Sequence, residues 1–124
     1  MHVYVVRHAE AAPGEPDELR RLTPNGRGQA RKLREELGTS FDAVLSSPLL
    51  RARETAELVS GRVPEPDERL APGATADDLR AAVAGRGERV LVVGHEPDCG
   101  RVVAALTGEP ERSFPPCGHA VLEL

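Results

Sequence analysis

The sequence predicts an α/β fold: a single domain over residues 1–124, built as a three-layer sandwich with a mainly parallel sheet and helices on both faces. Two runs, His2-Val3-Tyr4-Val5-Val6 and Arg89-Val90-Leu91-Val92-Val93-Gly94, are apolar almost throughout instead of alternating, as strands covered on both faces are. Segments with helical spacing of apolar residues separate the strand-like runs, and strands that alternate with helices pair in parallel. A length of 124 residues matches one compact core, and no stretch reads as a linker.

In chain order, residues 2–7 form the first strand. Leu22-Thr23-Pro24-Asn25-Gly26 then opens a helix, with Thr23 as N-cap and Pro24 at the first helical position, where its missing N–H costs nothing. Gly26, Ala30, Leu33 and Leu37 share one face of that helix, and Gly38 closes it. Residues 42–46 read as the second strand, followed by a helix capped by Ser47 with Pro48 behind it. Its buried stripe is Leu49, Ala52, Ala56 and Val59, and Gly61 ends it. Residues 63–73, rich in proline and acid, read as a loop with one short extended piece. Thr75 and Asp78 form a capping box for a helix carrying Leu79, Ala82 and Val83. Residues 89–94 are the third strand, a helix runs from about Pro97 to Leu106 and stops at Gly108, and His119-Ala120-Val121-Leu122-Glu123-Leu124 alternates as an edge strand.

Composition narrows the function classes. The net charge is −4 and the aromatic residues are Tyr4, Phe41 and Phe114, so the basic stripe and stacking platforms of a nucleic-acid binder are missing. No apolar run approaches the roughly 20 residues that span a bilayer, and the first residues read as strand instead of leader, so the expectation is a cytoplasmic protein without membrane contact. Cys99 and Cys117 form neither a CxxC pair nor zinc spacing and read as free thiols. No cluster of Asp and His with metal-ligand spacing is found, so neither metal nor cofactor is expected.

Three strand ends carry the chemistry. Arg7-His8-Ala9-Glu10-Ala11 follows the first strand and His95-Glu96-Pro97 the third. Ser46-Ser47-Pro48-Leu49-Leu50-Arg51-Ala52-Arg53-Glu54-Thr55-Ala56 sets Arg51 in the first turn of a helix. Ligands of open parallel sheets bind at the carboxyl ends of the strands, so His8, Arg51 and His95 map to one edge with Arg7. Two histidines and two arginines suit a small, highly charged anion. Phosphoryl transfer spreads charge over equatorial oxygens, which arginine meets with paired donors and a charge it never loses. A neutral imidazole serves as nucleophile through one ring nitrogen while a backbone carbonyl near the following loop holds the other.

These motifs, in this order, resemble the histidine phosphatase superfamily, the phosphoglycerate-mutase-like fold, and within it the short SixA-type phosphohistidine phosphatases; the resemblance covers essentially the whole chain. It implies that Arg7 is a phosphate ligand and His8 the nucleophile. It also implies that Arg51, from the pattern Ser-Pro-Leu-x-Arg-Ala-x-x-Thr-Ala, is a second phosphate ligand, and that His95 is the second catalytic histidine. The short branch adds an arginine before a Leu-Thr-x-x-Gly turn, which maps to Arg20 or Arg21. The implied activity is metal-independent hydrolysis through a covalent phosphohistidine, acting on phosphohistidine in a phosphotransfer protein and releasing inorganic phosphate. A small-molecule phosphomonoesterase on the same fold is the alternative. A phosphate- or phosphoprotein-binding module is the third reading, and it leaves His8 without a purpose.

Departures from the family favour the short branch. The usual Arg-His-Gly is Arg-His-Ala, and Ala11-Ala12-Pro13-Gly14 replaces a polar run containing Asn. Mutase and sugar-phosphatase branches carry an acidic proton donor where Leu70-Ala71-Pro72-Gly73 has no carboxylate; Glu68, Asp77 and Glu10 are the nearest candidates. A phosphoramidate, whose imidazole leaves readily, tolerates that gap better than an ester. Glu10 and Glu96 read equally as proton relays or as helix-cap and loop residues. Arg21 reads as solvated, His2 as a surface residue, and His119 as an edge-strand residue close to the pocket mouth. Gly26-Arg27-Gly28 lacks the context of a dinucleotide loop.

Overall fold

The computed structural model describes residues 1–124. It contains β1 (His2–Arg7), α1 (Pro24–Leu37), β2 (Ala43–Ser46), α2 (Leu50–Ser60), β3 (Glu65–Pro66), α3 (Ala76–Val83), β4 (Arg89–Gly94), α4 (Asp98–Thr107) and β5 (His119–Glu123), with 3-10 turns at Asp17–Leu19 and Glu68–Leu70. The five strands lie in the order β3-β2-β4-β1-β5. β3, β2, β4 and β1 pair in parallel, and β5 closes the other edge antiparallel to β1.

Alternate side chains of the central strands feed two cores. Val3, Val5, Leu45, Val90 and Val92 pack with Leu79, Ala82 and Val83 of α3 and with Val102 and Val103 of α4. Val6, Val44, Leu91 and Val93 pack on the other face with Ala30 and Leu33 of α1 and with Ala52, Ala56 and Val59 of α2. Both faces are thus covered, which is why these strands have no polar side.

The helix boundaries follow the local signals closely. Thr23 Oγ1 accepts from Gly26 N at 2.9 Å, and both arms of the Thr75–Asp78 capping box are present. α2 differs at its start. Leu49, not Ser47, is the N-cap, and Leu49 is only half-buried. Ser47 N donates to Val93 O at 2.9 Å, so the chain is still paired with β4 there, and the following Pro48 disfavours helical backbone at Ser47. α4 begins one residue later than expected, at Asp98. No helix is long and apolar enough to cross a membrane.

Candidate active site

β1 and β4 are neighbours, with Arg7 opposite Gly94. His8 and His95 each come one step further on, so the two rings meet beyond the carboxyl edge, 5.2 Å apart between centroids and inclined by 61°. A chain separation that no local pattern bridges is closed by this register alone.

His8 Nδ1 lies 2.7 Å from the Ala9 carbonyl. A carbonyl only accepts, so Nδ1 carries the proton and Nε2 keeps a free lone pair. Burial lowers the His8 pKa to about 4, the Ala9 hydrogen bond opposes this in part, and Arg51, Arg7 and Arg20 lower it further. The ring is therefore neutral at physiological pH. His95 is 4% exposed, and its Nε2 meets Ser47 Oγ at 2.8 Å. Burial first, then the charges of His8 and Arg51, bring its pKa to about 4 against an upward pull from Asp17.

The guanidiniums are held by fixed acceptors. Arg7 Nη1 donates to Phe114 O at 2.9 Å. Arg51, 7% exposed, donates from Nη1 to Asp17 O at 2.9 Å and from Nη2 to Asp17 Oδ2 at 3.3 Å. Arg7 Nε and Arg51 Nε are buried without an acceptor in the protein. A buried, unmatched donor costs about 1–3 kcal/mol, so both side chains carry unused hydrogen-bonding capacity at this edge. Arg20 donates from Nε to Ala12 O at 2.8 Å and from Nη1 to Asp17 Oδ1 at 3.1 Å, and its charge reaches His8. Arg21 faces away, 75% exposed beside Glu54. Of the two arginines left open by the sequence, Arg20 is the one at this edge.

One residue that holds the site, Thr55, was given no role in the sequence, and two acids left open there find theirs. Thr55, fully buried, donates to the Arg51 carbonyl at 2.8 Å and accepts from Ala9 N at 3.0 Å, tying α2 to the turn after His8. Its place four residues after Arg51 is the signal that could have found it. Glu96 accepts from Gly100 N and Phe114 N, so it anchors the segment whose Phe114 carbonyl holds Arg7. Glu10 caps α1 through Thr23 Oγ1 and Asn25 Nδ2. Both acids thus take the cap and loop roles. Two glycines permit close approach: a Cβ on Gly26 would drive into the Glu10 carbonyl, and one on Gly100 into the Arg112 carbonyl.

Other candidates lie elsewhere. His119 pairs with Val6 through its backbone, but its ring turns to the α1 side, 4.0 Å from Glu36. His2 pairs with Glu123 at the surface. Cys99 and Cys117 are free thiols whose pKa burial pushes up to about 12. No group of three or more His, Cys, Asp or Glu side chains is placed to hold a metal ion.

Known proteins share this fold. The protein histidine phosphatase SixA, solved with tungstate, superposes with a TM-score of 0.87 at 30% identity, covering 100% of this chain and 88% of that one. An uncharacterized protein of Picosynechococcus sp. is 34% identical over 120 residues, 86% of this chain and 73% of its own length. A 5''-phosphoribostamycin phosphatase of Niallia circulans is 42% identical over 85 residues; this chain spans 40% of its length. Residues 3–72 match the histidine phosphatase superfamily (branch 1). With that match across β1, α1, β2 and α2, and a mostly parallel sheet that ends in paired histidines, the chain belongs to the histidine phosphatase superfamily as a phosphatase of the phosphoglycerate-mutase-like fold.

Proposed function

We propose that this phosphatase works without a metal, through a covalent phosphoryl group on His8, and removes phosphate from phosphohistidine in a phosphotransfer protein. The observation that carries the reading is the state of His8: Nδ1 is tied to Ala9 O, the ring is neutral, and Nε2 offers its lone pair amid three guanidiniums. A binding module needs the guanidiniums but not a nitrogen prepared in this way. Arg7, Arg51 and Arg20 hold the phosphoryl oxygens, and His95 closes on the group from the neighbouring strand. Attack by Nε2 on phosphorus gives phospho-His8, which water hydrolyses to inorganic phosphate.

The carboxylates around the site support a leaving group that needs no acid. Glu10 is engaged in the α1 cap, and Asp98 accepts from Gly73 N and Ala74 N. Glu68 and Asp77 are exposed on the 3-10 turn and on α3. An alkoxide departs slowly without general acid help, which typically contributes about 10²–10⁴-fold, whereas a protonated phosphoimidazole releases neutral imidazole. Similarity to the SixA structure points the same way, and the phosphoribostamycin phosphatase marks the small-molecule alternative on this fold. Single-turnover rates on a phosphohistidine protein, an aryl phosphate and a sugar phosphate under one condition test the proposal. Phosphohistidine and aryl phosphate should lead; a clear win for the sugar phosphate would reassign the chain to small-molecule ester hydrolysis.

A further inference from the structure

Asp17 is a group at this edge that anion binding does not require. It stands on the 3-10 turn Asp17–Leu19, and its carboxylate accepts from Arg20 at 3.1 Å and from Arg51 at 3.3 Å. Its side chain is 62% exposed while that of Arg51 is 8% exposed, so the carboxylate covers the solvent side of the guanidinium. The hydrogen bond from Arg20, then the charge of Arg51, holds its pKa below the usual carboxylate range. Its charge also reaches His95. At this edge a buried guanidinium therefore stands beside an exposed carboxylate. For a phosphate monoester that outer anion does no more than orient Arg51 and Arg20, and it repels the dianion the site must admit.

We propose that Asp17 determines specificity: its carboxylate accepts a hydrogen bond from the ring N–H of protonated phosphohistidine and disfavours substrates with a second anionic group beside the phosphate. The inference rests on the phosphohistidine reading given above. The His8 Nε2 lone pair bonds to phosphorus, the substrate P–N bond breaks, and its electron pair goes to the departing ring nitrogen. The other ring nitrogen already bears a proton, so neutral imidazole leaves and no acid is consumed. In the second step a water oxygen bonds to phosphorus, the P–N electron pair returns to Nε2, and both water protons leave with the phosphate. Asp17 favours the ring cation from which the first step starts, and it stays a carboxylate throughout.

The test compares wild type with Asp17→Asn, which keeps the shape and the backbone carbonyl that Arg51 uses. The kcat/KM values are measured on a phosphohistidine peptide, an aryl phosphate and free phosphoserine, whose own carboxylate is a second anion. The ratio of phosphohistidine to aryl phosphate should fall by about tenfold or more, the size of one charge-assisted hydrogen bond. The ratio of phosphoserine to aryl phosphate should rise. Ratios cancel any shared loss from a shifted Arg51 or from partial unfolding, and Asp17→Ala should lower the first ratio at least as far. If wild type prefers phosphohistidine and neither ratio moves, Asp17 only orients Arg51 and the proposal is overturned. If wild type itself prefers phosphoserine, the phosphohistidine reading fails, whichever way the variant ratios move.

Discussion

Replacing Arg51 with lysine keeps the charge and removes the fork. The guanidinium is 7% exposed, and its terminal nitrogens are spent on Asp17, at 2.9 Å to the carbonyl and 3.3 Å to the carboxylate. Nε is buried without a partner, and each terminal nitrogen retains a second hydrogen for an oxyanion. An ammonium gathers three donors at one point and cannot serve Asp17 on one side and a phosphoryl oxygen on the other. At least one charge-assisted hydrogen bond is lost, about 1.5–3 kcal/mol or roughly 10–10²-fold in rate, and the looser geometry takes the expected loss of kcat/KM to about 10²-fold. Because the contact strengthens as charge spreads over the oxygens, kcat should fall together with kcat/KM. The assay is steady-state hydrolysis of an aryl phosphate at fixed ionic strength, with Arg62→Lys as the exposed control and a thermal melt to compare folding. An Arg51→Lys enzyme no slower than Arg62→Lys would refute the assignment of Arg51 to the phosphoryl group.

His8→Ala should abolish turnover while phosphate affinity stays within about tenfold, because the arginines supply the ground-state charge complementarity. Wild-type enzyme quenched with substrate in alkaline denaturant should carry phosphate and the variant none; an active His8→Ala enzyme rules out the covalent route. His8 and His95 titrate at about 4 in the fold, below the usual imidazole value of about 6.5, so their neutral rings contribute stability that is present above about pH 6.5 and lost as pH falls through about 4. Adjacent rings titrate as a pair, and NMR of the ring protons should find both steps well below pH 6.5; midpoints near 6.5 would contradict the burial. Gly100→Ala forces α4 against the Arg112 carbonyl, which should cost about 1–3 kcal/mol of stability and raise KM by loosening Phe114 O from Arg7. An unchanged melting temperature and KM would show that the 109–116 segment does not hold the site.

The sequence by itself determined the main strands and helices and the chemical types at their ends, but not the 3-10 turn that carries Asp17. Side-chain direction repeats with the backbone, so the buried runs of β1 and β4, the stripe of α2 and the caps at Thr23 and Thr75 are local facts that local spacing reveals. The placing of Arg7, His8, Arg51 and His95 at one edge followed from the parallel alternation, since such sheets end their strands on the same side. Tertiary structure alone decided which groups touch. Asp17 meets Arg51 across 34 residues, Thr55 meets Ala9 across 46, Ser47 meets His95 across 48, and Phe114 O meets Arg7 across 107. The choice of Arg20 over Arg21 and the turning of His119 toward α1 belong with these. Each depends on the pairing of β4 with β1 and on how two helices pack over the sheet, a cooperative register between distant segments that no window of neighbouring residues contains.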